Sequence, residues 1–135
     1  MINLPFKVGI SKELKIRGLI ATRNLKKNEL VESCPLILID IASEGKHLEQ
    51  TTLHKYYYEY NSKFDCIVLG YGGLINHSYT PNTKYTYDFK NKRIVYRALK
   101  DIKDGEEIVV NYNFVPDDKN EVPPELVDFN SHYKD

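Results

Sequence analysis

Tryptophan is missing from this sequence altogether, and cysteine nearly so, with two in 135 residues. Cys34 and Cys66 each sit in an apolar run without a Cys-x-x-Cys spacing. That pattern argues against a disulfide framework and reads as two reduced, buried thiols behaving as small hydrophobes. His47, His54, His77 and His132 are scattered without metal-ligand spacing, so no metal is assigned. An excess of either charge is lacking too: 19 basic and 19 acidic side chains cancel to a formal net charge of zero. No field of one sign would then hold the chain on nucleic acid or on an anionic membrane, and a basic partner would need only a local acidic patch. There is no long apolar run and no cationic, apolar leader of the secretory kind. The expectation is a soluble, cytoplasmic protein, a nuclear or secreted-effector location being left open. The triplet Asn76-His77-Ser78, formally a glycosylation acceptor, is then a coincidence.

What the sequence does have is tyrosine, eleven of them, on a chain long enough for one domain and too short for two ordinary ones. Most of it reads as short strands between polar turns. Gly18-Leu19-Ile20-Ala21 is apolar and is followed by the basic turn Lys26-Lys27-Asn28. A long apolar segment then runs from Glu29 to Asp40, which Pro35 either breaks in two or places at a sheet edge. Tyr85, Tyr87 and Phe89 alternate with polar neighbours before Asn91-Lys92 turns the chain into Arg93-Ile94-Val95-Tyr96-Arg97-Ala98, a hairpin signal. One stretch has helical spacing: Leu53, Tyr56, Tyr57 and Tyr60 fall at i, i+3, i+4 and i+7. It reads as a helix laying an aromatic stripe on the sheet, or as one that puts a tyrosine in a substrate channel. After Tyr112 the prolines of Pro116-Asp117-Asp118 and Val122-Pro123-Pro124 cannot continue a sheet. We therefore expect a core over 1–115 and a lid or tail over 116–135.

Two runs place polar residues where the pattern says the chain is packed. One is Asn76-His77-Ser78-Tyr79-Thr80-Pro81-Asn82, and the other is Gly105-Glu106-Glu107-Ile108-Val109-Val110-Asn111-Tyr112. Upstream of the first, Gly70-Tyr71-Gly72-Gly73 allows close backbone approach but lacks the lysine and spacing of a phosphate loop. Glu106 and Glu107 are adjacent on a strand, so their side chains point to opposite faces and do not form a carboxylate pair for acid–base work. At most one of them faces inward, where it holds the loop.

In this order and at this spacing the two runs resemble the signature of the SET-domain family of S-adenosylmethionine-dependent lysine methyltransferases. Arg17-Gly18-Leu19-Ile20-Ala21 is similar to the second half of the family's N-terminal Gly-x-Gly element, and Leu25 to Val31 resembles its next strand entry. The resemblance covers about Arg17 to Tyr112. Ile16 stands where the first glycine of the Gly-x-Gly would be, and the zinc-binding cysteine cluster of many relatives is absent. The chain is similar to the small viral and bacterial members.

What the resemblance implies is a mainly β fold: several small curved sheets around a pseudoknot, with one short helix and an irregular C-terminal tail. S-adenosylmethionine would be held by Arg17, Gly18 and Leu19, by the Asn76 side chain and by the His77 backbone, with Phe114 and Phe129 as candidates to cover its adenine or simply to pack the tail on the core. The partner would be a protein or peptide bearing lysine, histone or other, which enters from the opposite face. Tyr112 is the implied catalytic residue, its hydroxyl orienting the amine nitrogen. Tyr57 and Tyr85 match channel positions of relatives, and Tyr85 would narrow the channel where the small Val110 would widen it, so the number of methyl groups stays open. An alternative reading, favoured by Ile16, is a catalytically inactive protein-interaction module of the same shape. Exposed apolar edges on so small a domain make a homodimer plausible.

Overall fold

The structure is a computed structural model that describes residues 3–122. In chain order its elements are β1 (Phe6–Ile10), β2 (Arg17–Ala21), β3 (Leu30–Asp40), α1 (Ile41–Glu49), β4 (Tyr58–Glu59), β5 (Phe64–Val68), β6 (Asn76–His77), β7 (Thr83–Asp88), β8 (Arg93–Ala98) and β9 (Glu107–Val110). One sheet has the order β1-β2-β9-β6 and the other β4-β5-β3-β8-β7. Every pairing is antiparallel except β6 with β9.

The strands follow their period-two patterns. In β8, Ile94, Tyr96 and Ala98 are fully buried while Arg93, Val95 and Arg97 face outward. The hairpin to β8 turns where expected, with Lys92 at φ 52° and the Asp88 carboxylate accepting from the Asn91 amide N–H. The turn before β9 places Gly105 at φ 89°, a left-handed conformation that glycine adopts without cost. Leu19, Ala21, Ile108 and Val110 from the smaller sheet meet Cys34, Cys66, Ile94 and Tyr96 from the larger in one continuous core. Both cysteines are buried free thiols. Cys34 donates to Glu32 Oε1 at 2.9 Å, and burial with that carboxylate pushes its pKa up to about 12.

Two expectations need correction. Pro35 neither breaks its strand nor lies at an edge: β3 is continuous over 11 residues and central in its sheet. Its first half pairs with β8 and its second with β5, and Pro35 sits where the partner changes, so its missing N–H costs little. The helix also lies elsewhere. Leu53 falls in a single 3₁₀ turn over Thr52–Lys55, and Tyr58 is already in β4, paired with Cys66. The run Tyr56-Tyr57-Tyr58 has strand propensity, and pairing with β5 overrides the accidental helical spacing. The α-helix over Ile41–Glu49 is set by its cap. The Asp40 side chain accepts from Ala42 N–H and Ser43 Oγ, and Glu44 accepts from Asp40 N–H at 2.9 Å. Leu48 is its one buried residue, so it has no apolar stripe to read.

Candidate functional site

The two motifs meet side by side. β6 runs parallel to β9 with Asn76 opposite Val109 and His77 opposite Val110, and Ser78 N–H extends the ladder to Val110 O at 2.9 Å. Asn82 closes the loop between them as a surrogate strand edge: its Nδ2 donates to Glu107 O at 2.8 Å and its Oδ1 accepts from Val109 N–H at 3.0 Å. Both the Nδ2 and the Oδ1 of Asn82 therefore join the first motif to the second.

β9 ends at Val110, and Tyr112 follows on a turn built by Asn111. That asparagine is buried; its Nδ2 donates to Asp118 O at 2.7 Å and its Oδ1 accepts from Asn113 N–H at 3.0 Å. Tyr112 N–H donates to His77 Nδ1 at 3.0 Å, and its hydroxyl donates to Ile75 O at 2.7 Å. With its proton committed to a carbonyl, the phenol oxygen offers only lone pairs to whatever lies in front of it. Burial first, then Tyr85 and Glu107, push its pKa above the ordinary 10.0, so the phenol is neutral at physiological pH.

Tyr112 lies in the wall of a cavity of about 600 Å³ whose lining includes Tyr57, Tyr58, Tyr85, Tyr87 and Phe114. Tyr58 meets Tyr85 edge to face with ring centroids 5.1 Å apart, and accepts a hydrogen bond from the Tyr96 hydroxyl at 3.1 Å. Burial raises the pKa of Tyr58, Tyr85, Tyr87 and Tyr96. The wall around Tyr112 is mainly aromatic, with Lys55, Glu59 and Asp118 as the charged residues that also line the cavity, and the loss of water among the neutral tyrosines disfavours a cation. Phe114, read from sequence as a candidate cover for the cofactor, packs on Tyr85 and Tyr87 in this wall. Its φ of 74° is strained for a bulky side chain, a cost that places the ring against those two tyrosines. Phe129 lies outside the described residues.

On the other side of the junction, Asn76 Nδ2 donates to Arg17 O at 2.9 Å and to Glu107 Oε2 at 2.8 Å. Gly18 lies against both partners. A Cβ there would fall 2.6 Å from Glu107 Oε2 and 2.7 Å from Asn76 Nδ2, so any other residue would have to displace those two side-chain ends. Leu19 and Val110 are fully buried core residues, and Val110 is not among those lining the cavity. The Ile16 side chain is 6% exposed, turned into the protein, while its carbonyl accepts from Ser11 N–H at 2.7 Å. The structure thus brings Arg17, Gly18, Asn76 and His77 together on one side and Tyr57, Tyr85, Phe114 and Tyr112 on the other. Sequence reasoning missed Tyr58 and Tyr87; the alternation of Tyr85 with Tyr87 was the available signal for the latter. Among the described residues, no group of three or more His, Cys, Asp or Glu side chains could hold a metal ion.

His77 Nε2 is buried without a hydrogen-bond partner in the described structure. Because Nδ1 accepts from Tyr112, the neutral ring carries its proton on Nε2. Desolvation lowers the His77 pKa below its ordinary 6.5. The sign follows: the native state takes up the proton less readily than the unfolded chain, so this contribution to stability is complete above about pH 6.5 and is lost as pH falls towards the native pKa. The unfolding temperature is expected to fall as the pH drops below about 6.5, and less steeply in His77→Gln. Equal slopes in scanning calorimetry of the two proteins would refute this.

A family model described as "SET domain" matches residues 16–113. The chain is 29% identical over 112 residues to a Schizosaccharomyces pombe histone-lysine N-methyltransferase specific for lysine 37 of H3, an alignment spanning 83% of this chain and 76% of the relative. It is also similar to the crystal structure of a Plasmodium falciparum protein assigned as a histone methyltransferase, with a TM-score of 0.65 and 28% identity over 82% of this chain and 95% of the other.

Proposed function

The chain belongs to the SET-domain family, and from that membership we propose that it is an S-adenosylmethionine-dependent protein-lysine N-methyltransferase. The observation that carries the proposal is the Tyr112 hydroxyl, fixed on Ile75 O where the aromatic cavity meets the Asn76-His77 motif. A protein substrate is part of the proposal, and histone H3 is the first to try because the fission-yeast relative acts on it.

The residues on the cofactor side suit S-adenosylmethionine. Gly18 leaves a backbone cradle, the Glu107 carboxylate suits a cationic ligand, and His77 Nε2–H is an unused buried donor for a ligand that also carries acceptors. When bound, this cofactor supplies a methyl group activated on a sulfonium. The chain's own part is to deliver a neutral amine in line with it. A lysine in water has a pKa of about 10.4. Moving its side chain between Tyr58, Tyr85 and Tyr112, all neutral, strips water from the ammonium, and that desolvation favours the free amine. The Tyr112 oxygen then accepts an amine N–H and fixes where the nitrogen lone pair points, and such alignment contributes several kcal/mol to lowering the barrier. Ile75 O, 2.7 Å from that hydroxyl, completes an oxygen-lined rim suited to weak C–H···O contacts. No carboxylate base is required.

Threading of the segment after β9 past the loop that ends in Asn82 is part of the same reading, supported by the Asn82 bonds to both Glu107 and Val109. So is a homodimer, supported by Val8 and Ile10 standing exposed on edge strand β1. Calorimetric titration tests the cofactor assignment. Saturable binding of one S-adenosylmethionine per chain, competed by S-adenosylhomocysteine, is the expected result. No binding at millimolar concentration would leave only a protein-interaction module.

A further inference from the structure

We infer that Glu107 is a positioning residue that fixes the Asn76 amide so that its carbonyl oxygen, not its NH₂, is presented to the α-ammonium group of S-adenosylmethionine. The inference rests on the function proposed above and concerns how the same site selects its ligand. Asn76 is 3% exposed. An asparagine amide has two N–H hydrogens, and here one goes to Arg17 O at 2.9 Å and the other to Glu107 Oε2 at 2.8 Å. Both partners are pure acceptors, so the opposite orientation would press Oδ1 against a carbonyl and a carboxylate. Oδ1 is left as the one polar atom of the side chain without a partner among the described residues. It lies on the same amide as a bond to a negative charge, and that charge also reaches Tyr112, whose phenol it helps to keep protonated. A carbonyl oxygen beside a carboxylate is the complement of a primary ammonium.

Arg17 O alone cannot impose this. With Glu107 gone, the amide keeps one fixed partner and can turn its NH₂ towards the ligand, where it would meet an ammonium donor to donor. Gly18 is part of the device, since any larger residue would push the carboxylate and the amide apart. Glu106, the neighbouring carboxylate, is exposed and makes no such bond, so it serves as the control.

The experiment is calorimetric titration with S-adenosylmethionine and with its analogue lacking the α-amine, on wild type, Glu106→Ala, Glu107→Met and Glu107→Gln. A hydrogen bond to a charged group predicts that wild type and Glu106→Ala prefer the amine-bearing compound by about 10- to 100-fold. Glu107→Met keeps the side-chain length but loses the acceptor, so its preference collapses. Glu107→Gln retains an acceptor and keeps most of the preference. Should the Met variant fail to fold, Glu107→Leu carries the same expectation. A folded Met or Leu variant with the wild-type preference overturns the inference, as does a Gln variant that loses it as fully as Met. A wild type that binds neither compound overturns the proposed function itself.

Discussion

Replacing Gly72 by alanine is expected to destabilise the protein by about 3 kcal/mol, a fall of roughly 10 °C in unfolding temperature. The added methyl would be driven into the Tyr96 ring, against Cε2, with Cζ at 2.6 Å and the hydroxyl oxygen at 2.8 Å. Tyr96 is fully buried and cannot swing away. Nor can the loop retreat freely, because Gly72 N–H is held by Glu32 Oε1 at 2.8 Å. The effect reaches the site: Tyr96 donates to the Tyr58 hydroxyl, so a displaced ring shifts the cavity wall and activity falls with stability. Gly73 supplies the contrast. A Cβ there meets nothing nearer than 3.8 Å, so Gly73→Ala is expected to unfold within about 0.5 kcal/mol of wild type. Thermal unfolding of the pair decides the matter, and equal transitions would refute the packing argument.

Tyr112→Phe is expected to lower kcat by about 10²- to 10³-fold, the usual cost of removing one preorganised polar group at a reacting centre. The S-adenosylmethionine affinity should be unchanged, because the backbone bond from residue 112 to His77 and the ring packing on it both survive. Losing the bond to Ile75 O removes about 1 kcal/mol of stability, too little to account for the rate. Steady-state kinetics alongside titration separates the two quantities. A variant with wild-type kcat would remove Tyr112 from the chemistry, and one whose cofactor affinity fell with the rate would make it a structural residue.

What the sequence discloses here depends on whether a feature is local. The hairpin of β7 and β8 is carried by alternation and an Asn-Lys turn, both short-range signals, and it lies where they place it. The junction of the two motifs was legible only through family resemblance, since nothing in either run alone says that β6 pairs with β9 across 30 or so residues. The helical spacing of Leu53, Tyr56, Tyr57 and Tyr60 misled because strand pairing with β5 is a tertiary term that outweighs a one-turn cap at Thr51. Pro35 misled for a related reason: a proline in mid-strand is tolerable where the strand changes partner, and no sequence pattern announces such a change. Strand alternation allowed at most one of Glu106 and Glu107 to face inward without saying which; the bond from Asn76 shows that it is Glu107, and its consequence for the amide is legible only in the fold. The placement of Phe114 against Tyr85 and Tyr87 is legible only there too, because it depends on a positive φ that a phenylalanine rarely adopts.

The most direct measurement is to incubate the purified protein with methyl-labelled S-adenosylmethionine and histone H3 in a cell extract, and to locate the label by peptide mass spectrometry. The account predicts label on lysine Nζ of a protein chain, lost with Tyr112→Phe. Label on another residue type, or none in any protein although the cofactor binds and H3 and the extract proteins are present in excess, would contradict it.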